Sequence, residues 1–434
     1  MGLTNSKETK VLVDGYCHKN YQPVKERLED MLLNGKEENV QLCVYVDEKC
    51  VVDLYGTAIG DTSYNAESIQ TIFSSGKSIE SIAMGILYGK GLFKYEDPIA
   101  KHWPAFAQNG KENVSIADVF RHQGGLAWFT ETFPTVKDMW TDNIKQNKVG
   151  QLIEKQKLHY PSDTIKAEYH AITRGLIINE IVRRLDTKGR TIGDIIKEDF
   201  NVKGIYLGSS LEPNTNPVPQ TFITNSFIIK QCLTPEWMGK RISMTFSDLV
   251  SLAKTFATRD KQLEEHPPVV EEMKGIAIGQ DFVNIFNSPD FNSAEICSAN
   301  CRGNARGMAK LASIMANKGQ GLMTLDAWNE MHSEATFSPT GIAQDTVHFN
   351  FTKGGVNYFA NSPDATIPDK EKLNKNREGY YGWFGFGGSI MQWHPELRIG
   401  FGFAVTFLNI TEIFNMRGAV LQRIVKECAQ KEKK

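Results

Sequence analysis

Val40-Gln-Leu-Cys-Val-Tyr-Val46, Asp47-Glu-Lys49 and Cys50-Val-Val-Asp-Leu-Tyr55 follow one another near the start of the chain. Two runs of β-branched and aromatic residues around a short polar turn predict a β-hairpin. A second pair of runs stands near the other end: Ser389-Ile-Met-Gln-Trp393 and Arg398-Ile-Gly-Phe-Gly-Phe-Ala-Val-Thr-Phe407, joined through His394-Pro395-Glu396. Between the pairs the apolar period lengthens. Ile79, Ile82, Ala83, Ile86 and Leu87 give one apolar face to a helix over 74–88, with Gly89 and Gly91 to stop it. Ser115 to His122 reads as a short helix ending at Gly124-Gly125. Further helices are expected over 170–185, 246–257, 305–317 and 412–428, and 351–380, rich in Gly, Asn, Asp and Lys, as an exposed excursion. Regular strand–helix alternation is missing, which argues against a doubly wound parallel sheet. The pattern predicts an α+β fold: an antiparallel sheet built from both termini, flanked by helices, with a mainly helical insertion.

The chain has 434 residues, 41% of them hydrophobic and 23% charged, so disorder and collagen-like structure are excluded. Lys+Arg is 49 against Asp+Glu 51, a net charge of −2, and no whole-molecule field favours nucleic acid. Seven cysteines, an odd and scattered set, argue for a reducing compartment such as the cytoplasm rather than a disulfide framework. Cys297 and Cys301 lie four apart, but no second Cys/His pair at ligand spacing accompanies them, so no metal is expected. No stretch approaches the roughly 20 apolar residues of a membrane span. The start, Met1-Gly2-Leu3-Thr4-Asn5-Ser6-Lys7, lacks the apolar core of a signal peptide and fits the myristoylation pattern, with Gly2 as acceptor. One acyl chain, helped by Lys7 and Lys10, would give only marginal membrane attachment.

Among short motifs, Gly76-Lys77-Ser78 resembles the end of a phosphate loop, but Thr71 stands where the upstream glycine belongs. Gly387-Gly-Ser-Ile-Met391 fails as a nucleophile elbow at its last position. Ser74-Ser-Gly-Lys77 is a Ser-x-x-Lys element at the start of an amphipathic helix. One helical turn sets the lysine amine beside the serine hydroxyl, where it can take or hold its proton. The serine N–H, at the positive helix end, can bind an oxyanion. A serine here could equally be a helix N-cap, and Ser251-Leu-Ala-Lys254 matches the same spacing.

The surroundings extend the motif: Phe73-Ser-Ser-Gly-Lys77, then Gly89 to Pro104, then Asp118-Val-Phe-Arg-His-Gln-Gly-Gly-Leu126. Read together, they resemble the serine β-lactamase-related superfamily, that is, class C β-lactamases, D-peptidases and family VIII carboxylesterases. Eukaryotic β-lactamase-domain proteins and the esterases are the nearer likeness, and it runs from about Gly15 to Cys428. The resemblance implies a β-lactamase/transpeptidase-like fold. It divides the chain into a tail (1–14), a catalytic domain (15–428) and a basic tail (429–434). Within the domain, the sheet part falls at roughly 15–95 and 300–428 and the helical part at 96–299.

It also implies a site. Tyr160-Pro-Ser-Asp-Thr-Ile-Lys-Ala-Glu-Tyr-His-Ala171 matches the approach to a Tyr-x-Asn triplet, placing the tyrosine at Tyr169 and replacing the asparagine with Ala171. Tyr381-Gly-Trp-Phe-Gly-Phe-Gly-Gly-Ser389 matches the strand that carries Lys-Thr-Gly or His-x-Gly. The triplet becomes Trp383-Phe384-Gly385, and Phe386 would supply the second oxyanion N–H. Lys353-Gly-Gly355 is a rival triplet that keeps a lysine but lacks the following hairpin. His122 and His170 read as hydrogen-bonded structural histidines, and Trp128 and Tyr380 as core or pocket aromatics.

The family pattern implies a serine hydrolase working through an acyl-enzyme without any cofactor, with Ser74, Lys77 and Tyr169 as catalytic residues. Loss of the triplet lysine removes the partner of a β-lactam carboxylate, and loss of the asparagine removes an acyl-holding amide. Both changes favour small or hydrophobic esters, or amides, over β-lactams. The altered triplets also leave open a non-catalytic scaffold or ligand-binding protein on the same fold. The oligomeric state is not legible.

Overall fold

Asp47 and Glu48 both take positive φ, 47° and 64°. A two-residue turn with both positions in the left-handed region matches the twist of the strands it joins. The predicted hairpin forms there, as β2 (Asn39–Val46) and β3 (Lys49–Thr57), in a computed structural model. The structure describes residues 11–34, 37–223, 233, 269–337, 349–360, 375–409 and 416–433, apart from positions 131, 162–163, 165, 213–214, 216 and 277–278. The sheet is completed by β1 (Leu12–Cys17), β4 (Tyr381–Phe384), β5 (Ile390–His394) and β6 (Ile399–Val405). Its order is β1-β3-β2-β6-β5-β4, antiparallel throughout, with Phe403 opposite Leu42 and Phe401 opposite Val44. Strands from both ends of the chain therefore meet at β2–β6.

Alternation along β6 divides the two faces. Ile399, Phe401 and Phe403 pack with Val24, Leu28 and Met31 of α1 (Gln22–Leu33) and with Leu421 and Val425 of the C-terminal helix (Met416–Glu432). On the other face Gly400 and Gly402 admit the helix Ala305–Ala316. A Cβ at Gly402 would lie 2.4 Å from the Ala305 carbonyl oxygen, so the glycines set how closely that helix approaches. Beyond it lies the helical part of the molecule, including α2 (Gly76–Gly89), α3 (Ile116–Phe120), α4 (Thr173–Leu185) and the helical turn α5 (Cys297–Asn300). Ala305–Ala316 is α6 and Met416–Glu432 is α7.

The structure corrects three expectations. Part of each expected tail belongs to the domain. β1 begins at Leu12, and α7 runs to Glu432, whose carboxylate accepts from Asn20 Nδ2 (2.7 Å) and the Tyr21 hydroxyl (2.9 Å). β1 escaped notice because it is an edge strand with little buried surface and weak alternation. The 351–380 stretch is not simply exposed: Phe351, Val356, Phe359, Arg377 and Tyr380 are buried, although 361–374 lie outside the described residues. Gly2, Ser6, Lys7, Lys10, Ser162, Asp163 and the helix expected over 246–257 also lie outside them. Cys17, Cys43, Cys50, Cys297, Cys301 and Cys428 are free thiols. Among the described residues no helix is long and apolar enough to cross a membrane.

Candidate active site

The helix expected over 74–88 begins two residues late, at Gly76. Phe73–Ser75 form a 3₁₀ turn, and Phe73 has a φ of 43°, a left-handed conformation that costs a non-glycine residue on the order of 1–3 kcal/mol. That strain needs outside support, and the β4–β5 connection supplies it. Ser389 Oγ donates to the Ile72 carbonyl (2.6 Å) and lies 2.9 Å from Ser75 Oγ. Gly385 packs so closely that a Cβ there would sit 2.3 Å from the same Ile72 oxygen. The Phe73 ring is held edge-on by Phe286 and Phe386, at 5.1 and 5.5 Å between centroids.

Ser74 sits on this turn and does not cap the helix. Its Oγ lies 2.7 Å from the Tyr169 hydroxyl and 3.2 Å from Lys77 Nζ. Lys77, the second residue of α2, is completely buried, and its amine also meets the Ala171 carbonyl (2.7 Å) and the Ser298 carbonyl of α5 (3.0 Å). Burial pushes its pKa down to about 7, with Glu80 opposing and Arg174 adding to the fall. Burial pushes the Tyr169 phenol up to about 12, against the lowering effect of its bond to Ser74. The sequence-predicted trio is thus brought together in one cluster. Ala171, which stands where the family has asparagine, contributes its carbonyl instead.

Two charged residues that sequence reasoning missed lie directly behind it. Glu80 and Arg174 form an ion pair (Nε to Oε2, 2.9 Å) with both side chains wholly buried. The Arg174 guanidinium also donates to the Lys77 carbonyl, Ser81 Oγ and the Gly355 carbonyl, and lies 5.2 Å from the Trp383 ring. It therefore ties α2, α4 and β4 to one point. The available signal was a charged residue on the apolar face of each helix: Glu80 among Ile79, Ile82 and Ala83, and Arg174 at the start of the stripe that includes Leu176 and Ile177.

On the third side, Trp383 N–H donates to Ser78 Oγ (2.9 Å) and its indole N–H to the Gly355 carbonyl (2.7 Å). The ring stacks on Phe351 and is almost entirely buried, so it acts as a plug rather than an open pocket wall. Phe384 packs against Phe349. Phe386 is half-buried among Phe73, Phe222 and Phe282, and among the described residues its N–H has no acceptor. Lys353, the rival cation, is engaged elsewhere, in ion pairs with Glu96, Glu330 (2.7 Å) and Glu334 (3.1 Å) that raise its pKa. His122 and His170 are buried and hydrogen-bonded to backbone, and burial lowers the pKa of both, His170 to about 4. Trp128 stacks on His159, and Tyr380 belongs to the sheet-side core.

Residues 24–201 match the Beta-lactamase family model. Esterase/beta-lactamase LipL of Mycobacterium tuberculosis (strain ATCC 25618 / H37Rv) is 25% identical over 370 residues, covering 83% of this chain and 75% of LipL. The fold is similar to that of a family VIII carboxylesterase: TM-score 0.71, 20% identity, 96% of this chain and 100% of the other. It is also similar to a penicillin-binding protein homolog from Caulobacter crescentus, with TM-score 0.67, 19% identity and the same coverage. The family-model match over residues 24–201, the curated relative and the two folds all liken the chain to the serine β-lactamase-related superfamily, the folds along nearly its whole length.

Proposed function

We propose that the protein is an acyl-enzyme serine hydrolase in which Ser74 is the nucleophile, Lys77 its general base and Tyr169 its proton-donating partner, acting on small or hydrophobic carboxylic esters. The observation that carries this is the hydrogen-bond arrangement around Lys77. A neutral amine has two N–H groups and one lone pair. With both N–H groups given to the Ala171 and Ser298 carbonyls, the lone pair is left for the Ser74 hydroxyl. A pKa of about 7 keeps a large neutral fraction near neutrality, whereas a phenol at about 12 remains protonated and can donate to Ser74 Oγ.

Ser74 Oγ attacks the ester carbonyl as its proton passes to Lys77 Nζ. The N–H groups of Ser74 and Phe386 receive the oxyanion, and the leaving alkoxide takes a proton from the Tyr169–Lys77 pair. Water, deprotonated by the same pair, then releases the acid and frees Ser74. The aromatic surroundings of Phe386 and the Trp383 plug support apolar esters, as does similarity to a relative named as an esterase. Fluorophosphonate labelling with peptide mapping tests the reading. The adduct is expected on Ser74, and Ser74→Ala should lose both the adduct and ester turnover. Full turnover by that variant would overturn it.

A further inference from the structure

Tyr169 lies on an irregular segment between Lys166 and Ala171, with no helix or strand to fix its height above Ser74. A group on a loop holds a catalytic geometry only if something outside the loop grips it. The grip comes from His122, at the turn after α3, which has a φ of 61°. Its carbonyl accepts from the Glu168 N–H (2.8 Å) and its Nδ1 from the His170 N–H (3.0 Å). These are the N–H groups of the residues immediately before and after Tyr169. The imidazole also lies beneath the phenol, 5.0 Å between ring centroids, and is completely buried.

We propose that His122 is the positioning residue of Tyr169: its carbonyl and its ring nitrogen clamp the N–H groups of the two flanking residues and thereby set the phenol at hydrogen-bond distance from Ser74. The proposal rests on the reading of Ser74 and Tyr169 given above. Nδ1 can accept only while the ring is unprotonated there. Burial, with Arg174, His170 and Lys77 nearby, keeps the imidazole pKa well below its usual value. The nearby side chain of His170 has its own partners: its Nε2 accepts from the Leu126 N–H, and its Nδ1 meets the Glu168 carbonyl. It is therefore not available to replace the clamp.

The test is a double-mutant cycle. H122L and H122N are made alone and with Y169F, and kcat, KM, the rate of fluorophosphonate labelling and the thermal midpoint are measured. Leucine removes the acceptor; asparagine offers Oδ1 in a similar place and tolerates positive φ. H122L is expected to lower kcat and labelling about 30-fold with KM within about threefold, because the fault is one of placement. H122N should recover about tenfold of that loss. In the Y169F background H122L should cost less than about twofold more, since the two residues act as one unit. An equal loss from H122L with and without Tyr169 would overturn the proposal. So would an asparagine variant no better than leucine at the same thermal midpoint, or an unchanged kcat. Should H122L fail to fold, H122A takes its place in the same cycle. Activity in S74A, by contrast, would sink the Ser74 reading itself, a result the His122 variants cannot produce.

Discussion

A lysine amine is ordinarily charged, and Lys77 is moved from that state by enclosure more than by any one neighbour. This fixes a pH dependence. Below about pH 7 the amine is protonated, and kcat/KM for ester acylation should fall about tenfold per pH unit; above it, the rate should level off. If Tyr169 were the base instead, the rate would still be climbing past pH 9, since its pKa lies near 12. A pH–rate profile between pH 5 and pH 10 separates the two. Trp383 and Lys353 make the second residue-scale prediction. The plug fills the triplet position with indole, and Lys353 is committed to three carboxylates. A β-lactam carboxylate then finds no cation at the triplet position and Lys353 already paired, at a cost on the order of 1–3 kcal/mol or one to two decades in rate. The value of kcat/KM for p-nitrophenyl butyrate should exceed that for nitrocefin by at least about tenfold. Equal efficiencies would mean that another cation reaches the cleft.

At the scale of elements, the nucleophile turn does not stand alone but hangs from the β4–β5 connection through Ser389. Ser389→Ala would leave the buried Ile72 carbonyl without that donor and release the strained Phe73 turn. A loss of about 1–3 kcal/mol in stability is expected. About a tenfold fall in kcat should accompany it, as Ser74 drifts from its partners. Urea titration and steady-state kinetics on the same preparation check both; an unchanged kcat would show that the turn supports itself. This contact also marks where sequence reading stops. Ser-x-x-Lys and the two hairpins were legible because the residues that define them are local: a three-residue step on a helix, a two-residue alternation on a strand. Ser389 to Ile72 spans 317 residues, and Arg174 to Gly355 spans 181, so no local period announces them. Tyr169 was found through the family pattern rather than through periodicity. The partners of Lys77 were invisible for a simpler reason: they are backbone carbonyls, which any residue type would provide.

For the whole molecule, the decisive fact is that both ends of the chain build one sheet. Ala429 is buried and Glu432 receives hydrogen bonds from Asn20 and Tyr21, so the last residues lock α7 against the N-terminal layer. Removing residues 429–434 should lower stability by about 1–3 kcal/mol, read as a lower urea midpoint with similar kcat per folded molecule. An unchanged midpoint would return those residues to the status of a solvated tail.

The pairing of β2 with β6 has a consequence for the newborn chain. Val46 lies opposite Ile399, so about 350 residues must be synthesised before β2 meets its second neighbour. At 5–20 residues per second that interval is about 20–70 s. Throughout it, one side of the β2–β3 hairpin is an uncovered hydrogen-bonding edge flanked by Val40, Leu42 and Val44. On the ribosome this edge can be captured by any similar strand, including one from a neighbouring nascent copy. Escape from aggregation therefore depends on the stretch that encodes β6 being translated promptly.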